Sequence, residues 1–375
     1  MKVLHLIDSG GLYGAENMLL ALVREQVKQG LDPMILSAGD LEIDEKPIEA
    51  EAHRLRLPIT PWRMKPGLNL REARKIQKWA REKGYQVLHS HGYKFNILMG
   101  LFPRTVRQLS LVSTLHGYVH APRFSKMWLY ELLDRIAIFN TQSVVLVGKA
   151  MRKELPAGIK KLSKLRVIPN GIDIEQLRVR TADSLCPAIE AFSRCHTPLL
   201  LGVGRLSPEK NFESLIEAFA TFRRRGSEAG LIIVGEGRLR PNLEALVERH
   251  GLESAVLLPG YSSQVPALLA RSDLLLMPSL TEGLPITLLE GMAVGVPVMV
   301  SEVGEMPGVL GLGQGGSILS DVTPDAIARE LESFFSNVVP AQQVSWACQQ
   351  IEQDYSAPAM AEKYRQLYSE FSILE

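Results

Sequence analysis

Cysteine is scarce in this chain and scattered. Cys186, Cys195 and Cys348 are its three thiols and none forms a C-x-x-C pair. That excludes a zinc-finger or disulfide framework on sequence grounds and points to a reducing cytoplasm. Long apolar runs are missing too. No stretch approaches the ~18 uninterrupted apolar residues of a membrane span, and the N-terminal Lys2-Val3-Leu4-His5-Leu6-Ile7 is too short for a signal-peptide core. The glycines that follow strand-like runs do not form the usual phosphate-binding patterns. Gly10, Gly11 and Gly14 do not spell G-x-G-x-x-G, nor do Gly202-Val203-Gly204 or Gly235-Glu236-Gly237, and no G-x-x-x-x-G-K-[ST] occurs. Dinucleotide and P-loop chemistry are therefore unsupported, and the glycines read instead as points of close backbone approach at strand ends.

What is present is a long, ordinary globular composition with an uneven charge. At ~150 residues per domain, 375 residues imply about two domains. Residues 1–180 carry 29 Lys and Arg against 17 Asp and Glu, a net of +12; the remainder carries 13 against 24, a net of −11. Such a split suits an N-terminal half that meets something anionic, against the plainer reading of two solvated halves that attract each other. Strand-like runs alternate with helical periodicity in both halves, which predicts two parallel-sheet α/β domains. The expected division is 1–180 and 190–355, with 175–197 as a linker and an amphipathic C-terminal helix within 355–375 packing back on the first domain. Helix 69–83 is read with Leu70, Ala73, Ile76, Trp79 and Ala80 inward and Arg71, Arg74, Lys75, Lys78 and Arg81 outward.

Two constellations carry the chemistry. The first is the run from Glu282 to Glu290, two acids eight residues apart, following the strand-like Leu274 to Met277 and leading into a helix that starts near Ile286. Carboxylates suit sugar and ribose hydroxyls, and the free N–H groups of a helix start suit a phosphate; the bland alternative is a capping-turn acid and a solvated one. The second is Gly204-Arg205-Leu206-Ser207-Pro208-Glu209-Lys210-Asn211, where a buried strand delivers Arg205 and Lys210 follows at a helix start. Two cations converging there would neutralise a diphosphate, unless they pair with Glu209, Glu213 or water.

Taken with Gly14-Ala15-Glu16, His89-Ser90-His91, Thr114-Leu115-His116-Gly117 and Pro169-Asn170-Gly171-Ile172-Asp173, these runs, in this order, resemble the GT-B-fold retaining glycosyltransferases of family 4 (glycosyl transferases group 1) over nearly the whole chain. The resemblance implies two Rossmann-like parallel-sheet domains facing each other across a cleft. It implies transfer of a sugar from a nucleotide-diphosphate donor to a hydroxyl acceptor with retention, of hexosyl or N-acetylhexosaminyl type, in cell-surface polysaccharide or lipid-linked glycan synthesis. No cofactor and no metal are implied. Arg205 and Lys210 would hold the diphosphate, Glu290 the ribose, and Glu282 the transferred sugar, with main-chain groups of Ile286, Thr287 and Leu288. Gly10, Gly11 and Gly14 would lie against phosphate and sugar, His116 by the reacting carbon, and Gly260 near the base. Two departures stand out. Val303-Gly304-Glu305-Met306-Pro307-Gly308 replaces a Gly-Gly-x-x-Glu turn, and Pro285 removes one N–H from the phosphate-facing turn.

His89 and His91 share a strand face and read as structural or acceptor-side; a metal pair lacks an evident third ligand. The basic helix 69–83, the lysine- and arginine-rich 149–166, and Trp128, Leu129 and Tyr130 beside Arg123 and Lys126 suit an anionic inner-membrane face, against a solvated one. Nucleic acid is not expected, because no binding motif accompanies the charge. A nucleotide-sugar epimerase of the same fold and a catalytically silent membrane-docking subunit remain as alternatives.

Overall fold

The computed structural model describes residues 1–12, 14–116 and 126–372; the expectations for Gly117 and Arg123 fall outside these. The chain forms two units, Met1–Gly171 with Ala357–Glu375, and Ile172–Ser356. Each is built on one parallel sheet.

In the first unit the strands are β1 (Lys2–Ile7), β2 (Asp32–Gly39), β3 (Ile59–Arg63), β4 (Val87–His91), β5 (Ser110–Leu115), β6 (Ser143–Leu146) and β7 (Leu165–Val167). Their order is β3-β2-β1-β4-β5-β6-β7, parallel throughout. In the second they are β8 (Leu199–Val203), β9 (Gly230–Val234), β10 (Val256–Gly260), β11 (Leu274–Met277), β12 (Val298–Ser301) and β13 (Ser317–Leu319), in the order β10-β9-β8-β11-β12-β13. Both sheets wind outward from their first strand and then reverse. The reversal opens a crevice at the strand carboxyl ends between β1 and β4 in one unit and between β8 and β11 in the other.

Alternation along the strands supplies apolar cover for both faces. Leu199, Leu201, Ile232, Val234, Leu275 and Met277 join one core of the second unit, while Leu200, Leu231, Ile233, Leu274 and Leu276 join the other. In the first unit Leu4, Leu6 and Leu88 pack on one face. Val3 and Val87 pack on the opposite face, against Met360, Tyr364, Leu367 and Tyr368 of the C-terminal helix Ala357–Ser372.

The structure differs from the sequence reading in several places, among them the following. Residues 175–197 are no bare linker: they include the helices Ile174–Arg180 and Pro187–Cys195, and Leu177, Leu185 and Ile189 are buried in the second unit's core. Helices this short never complete the i, i+3, i+4, i+7 stripe that marks a longer one. β3 and β13 escape notice because β3 is a half-exposed edge containing Pro61 and β13 has three residues. Leu70 is 45% exposed, so it does not join Ala73, Ile76 and Ala80 in the core. The basic side of its helix, Leu70–Glu82, is partly neutralised, with Lys75 on Glu72 at 2.7 Å and Lys78 near Glu82 at 3.7 Å.

Candidate active site

Lys210 and Glu282, 72 residues apart, form an ion pair at the mouth of the β8/β11 crevice. Each is delivered by a loop leaving the carboxyl end of a strand. After β8 the chain passes Gly204 and Arg205 into a single 3-10 turn, Pro208–Lys210. Asn211 then adopts a left-handed conformation (φ 55°) to start the helix Phe212–Arg224, a geometry asparagine tolerates better than most residues. Its Nδ2 donates to Pro278 O and Val322 O, each at 3.2 Å, and Leu280 N donates to Glu209 O at 2.8 Å. The two loops are thus stitched together through backbone atoms. Ser279 Oγ also donates to Glu282 Oε1, at 2.9 Å. Both contacts of the carboxylate fall on Oε1, which leaves Oε2 for a ligand; an ammonium has two further N–H donors.

Glycines make this approach possible where a side chain would collide. The stem of Lys210 lies over Gly204, where an added Cβ would meet Lys210 Cε at 3.1 Å. Gly235 (φ 150°) and Gly237 sit so close behind the β8 loop that a Cβ would fall 1.8 Å from Gly204 O and 2.2 Å from Leu206 O. Gly304 (φ 59°) does the same for the other loop, 2.2 Å from Glu282 O, and Glu305 N donates to Gly283 O at 3.0 Å. The turn that departs from the family pattern therefore still braces the Glu282 loop.

The remaining second-unit candidates sit on the loop after β8, on the helix after β11 and at the end of β10. Arg205 is exposed and forms no ion pair among the described residues. Glu290 is part-buried in the second turn of the helix Ile286–Val294. Burial pushes its carboxyl up to about 7, with Arg180 pulling the other way. Ile286 and Thr287 open that helix, so their N–H groups have no intrahelical acceptor. The Leu288 N–H is already engaged by Pro285 O at 3.2 Å. Gly260 (φ 86°) ends β10, with its carbonyl accepting from Gly235 N at 2.9 Å.

In the first unit Gly10 follows β1, and an added Cβ there would meet nothing within 4 Å. Gly11 N donates to Ser9 Oγ at 3.2 Å, and Gly14 opens the helix Gly14–Lys28. His116 follows β5. Burial lowers its pKa to about 4, against the pull of Glu16, and its Nδ1 is buried with no partner among the described residues. His89 and His91 are joined by His5, which pairs in register with His89 across β1 and β4. The nitrogens of these three lie within 4.8 Å of one another, a spacing compatible with a metal. Every one of them already has a hydrogen-bond partner. His5 bonds Gln26 Oε1 (2.8 Å) and His91 Nε2 (3.1 Å). His89 bonds Tyr368 Oη (2.6 Å) and Thr114 Oγ1 (2.7 Å), and His91 Nδ1 faces His116 Nε2 (3.4 Å). A metal would have to displace these bonds, so the trio is a poor fit for one.

Sequence reasoning missed His5. It also missed Asp8, which follows β1 and holds Lys46 at 2.9 Å and Lys94 at 2.6 Å. Both lysines hold the Asp8 carboxyl below its usual range, against the opposing effect of burial, which is the larger single cause. No spacing rule links these positions; only the β2-β1-β4 strand order brings them together.

Two family models match in sequence order: Glycosyltransferase Family 4 over residues 13–176 and Glycosyl transferases group 1 over residues 193–347. The chain is 29% identical over 239 residues to the UDP-Gal:alpha-D-GlcNAc-diphosphoundecaprenol alpha-1,3-galactosyltransferase of Escherichia coli, covering 61% of this chain and 60% of that protein. It is 26% identical over 309 residues to the putative glycosyltransferase EpsF of Bacillus subtilis, covering 80% and 79%. A crystal structure of an Anabaena protein in complex with UDP superposes with a TM-score of 0.81 at 19% identity, covering 99% of this chain and all of that one. Two doubly wound parallel sheets, matched along their length by that structure and each overlaid by its own family model, place the chain among the GT-B-fold glycosyltransferases of family 4.

Proposed function

We propose that the protein transfers a sugar from a nucleotide-diphosphate donor to a hydroxyl acceptor with retention of configuration. The observation that carries this is the meeting of Lys210 and Glu282 at the switch point of the second sheet, with Arg205 in the same loop. During transfer, negative charge builds on the leaving phosphate. Lys210, held by Glu282, is a fixed cation that stabilises it, and the exposed Arg205 adds a second positive charge, a task given elsewhere to a divalent metal. Glu282 Oε2 accepts from hydroxyls of the transferred sugar, the N–H groups of Ile286 and Thr287 bind phosphate oxygens, and Glu290 binds the ribose. With a pKa near 7, Glu290 meets a ribose hydroxyl as donor or acceptor. Gly10, Gly11, Gly14 and His116 contact phosphate and sugar, and Gly260 the base, by the family resemblance.

The acceptor we favour is a lipid-linked or cell-surface glycan precursor, and the sugar transferred is of hexosyl or N-acetylhexosaminyl type. The Escherichia coli relative is named for a diphosphoundecaprenol acceptor, and the first 180 residues here carry the net positive charge that such an acceptor, or an anionic membrane, would meet. The helix Lys126–Ile138 supports a peripheral membrane contact in the cytoplasm. Leu129, Leu132 and Ile136, followed by Phe139, are exposed at helical spacing, whereas Glu131 and Asp134 point inward and are buried. An apolar stripe facing out, with basic side chains in the same unit, suits an anionic bilayer surface. Among the described residues no helix is long and apolar enough to cross a membrane.

One assay tests the reading. The full chain is incubated with a panel of nucleotide sugars, with and without a lipid acceptor extract, and nucleotide release is measured. Acceptor-dependent release is expected. Isomerised nucleotide sugar without transfer would make it an epimerase, and binding without turnover a silent subunit. Membrane contact is tested separately. Changing Arg74, Lys75 and Lys78 together to Gln should weaken binding to anionic vesicles at least about tenfold, at ~1 kcal/mol per charge near the surface, while release with a soluble acceptor persists. Unchanged vesicle binding would return the helix Leu70–Glu82 to a solvated face.

A further inference from the structure

Four histidines, His5, His89, His91 and His116, share a buried cluster in the first unit, and three of them form a continuous file. The file begins at Gln26, on the helix Gly14–Lys28. Gln26 Oε1 lies 2.8 Å from His5 Nε2, His5 Nδ1 lies 3.1 Å from His91 Nε2, and His91 Nδ1 lies 3.4 Å from His116 Nε2. Gln26, His5, His89 and His91 are buried. Desolvation lowers the pKa of His5 to about 4 and those of His89 and His91 well below the usual value, so the rings are neutral at pH 7.

A neutral imidazole carries one N–H, and which nitrogen holds it is set by the bond the other nitrogen makes. An amide oxygen at the start therefore determines every later step. Gln26 Oε1 only accepts, so His5 carries its proton on Nε2 and accepts at Nδ1. His91 must then donate from Nε2 and accept at Nδ1. His116 must donate from Nε2, which leaves its Nδ1 as a lone pair. That atom is a buried nitrogen without a partner among the described residues, as is Gln26 Nε2 at the head of the file. A second branch is locked to the same region: His89 Nδ1 bonds Tyr368 Oη at 2.6 Å and His89 Nε2 bonds Thr114 Oγ1 at 2.7 Å, which in turn bonds Tyr364 Oη at 2.9 Å. Both tyrosines belong to the C-terminal helix, so the helix that closes the chain also holds the histidine rings in place.

We infer that Gln26, His5 and His91 are positioning residues that fix His116 in its Nε2–H tautomer, so that His116 presents a hydrogen-bond acceptor at Nδ1 to a sugar hydroxyl of the bound donor. The hydroxyl part rests on the glycosyl-transfer reading above; the tautomer does not. This assigns His116 the role of a neutral acceptor and not of a cation or a proton donor. It also gives His89, His91 and the C-terminal tyrosines a task other than metal binding.

The experiment is a long-range nitrogen–proton correlation spectrum of the full chain labelled with ¹⁵N-histidine at pH 7, with the His116 signals identified from their loss in His116→Gln. Wild type is expected to show His116 protonated at Nε2 and bare at Nδ1. A protonated Nδ1, an imidazolium or an even mixture would overturn the inference without needing any folded variant of the relay. Gln26→Leu is the second arm. It should convert the single His116 tautomer to a mixture and lower kcat/KM for the donor roughly 3- to 10-fold, the worth of one neutral hydrogen bond. An unmoved His116 spectrum in that variant would also overturn it. Zinc titrated into wild type should leave the His5, His89 and His91 signals in place; coordinated shifts of all three would replace the relay with a metal site. Should the donor panel show no turnover while the tautomer is as stated, the glycosyl-transfer reading fails and the relay stands.

Discussion

Lys210→Ala is expected to lower the rate of transfer by more than ~100-fold, the usual cost of removing one preorganised charge contact from a transition state. The loss should appear mainly in kcat. On the proposed reading, ground-state binding of a nucleotide diphosphate would be shared with Arg205 and with the N–H groups that open the helix Ile286–Val294, whereas the charge that develops on the leaving phosphate would need a cation already in place. Two features make Lys210 such a cation. Its stem is held against Gly204, and its ammonium is held by Glu282, so little reorganisation remains to be done when the donor arrives. The alanine variant also leaves Glu282 without its cation, which disturbs the carboxylate proposed to bind the sugar; the two effects reinforce one another and will not be additive with Glu282→Gln. Stability should change little, because Lys210 ends a short surface turn whose backbone is held by Asn211 and Glu209. The check is single-turnover kinetics with donor affinity measured by calorimetry on the same preparation. Near-normal rates would remove Lys210 from the site.

The fold was legible because its signals are local. Short apolar runs such as Leu199 to Val203 and Leu274 to Met277 coincide with β8 and β11, and amphipathic stretches such as Phe212–Arg224 and Pro324–Ser336 are helices long enough to show their period. The two constellations on Arg205/Lys210 and Glu282/Glu290 could be named from their order along the chain, but that Lys210 and Glu282 bind each other could not. Their contact depends on β8 and β11 being neighbours in the sheet although β9 and β10 lie between them in sequence. His5 shows the same limit more sharply. In Lys2–Ile7 it reads as one polar residue in a buried strand. Only when β1 is set beside β4, with His5 opposite His89, does its parity put it on the face of His89 and His91. A doubly wound strand order assumed at the start would have supplied that register. Arg107, buried in the first unit, carried no sequence signal at all, since one arginine in a basic half looks like any other.

Arg107→Met should destabilise the first unit by about 4–5 kcal/mol, among the larger costs seen for single substitutions. The guanidinium of Arg107 is fully buried and has no carboxylate partner among its contacts. Instead all five of its N–H donors are used. Nε donates to Leu109 O (2.9 Å), one terminal nitrogen to Met99 O (3.1 Å) and Phe102 O (2.7 Å), and the other to Asn140 O (3.2 Å) and Gln142 Oε1 (2.9 Å). Burial lowers its pKa to about 10, which leaves it charged at neutral pH. The charge sits at the carboxyl end of the helix Tyr93–Gly100, where unpaired carbonyls favour a cation. The same side chain ties that helix to the start of β5 and to the segment entering β6. Methionine fills much of the volume but strands the carbonyls of Phe102, Leu109 and Asn140 in a dry site, while Met99 O keeps Phe102 N and Gln142 Oε1 keeps Leu111 N; each stranded carbonyl costs roughly 1–3 kcal/mol before water or backbone shifts recover part of it. In a unit of this size the net loss corresponds to a fall of about 10–15 °C in the first unit's unfolding temperature. Lysine should recover only a fraction, because a single ammonium cannot reach five acceptors spread over three segments. Calorimetry of the full chain is the check, with nucleotide affinity followed in parallel to confirm that the second unit stays folded. A first-unit transition within about 2 °C of wild type, less than 1 kcal/mol on the same scale, would mean that water replaces the guanidinium with ease and that the buried charge contributes almost nothing to holding those segments together.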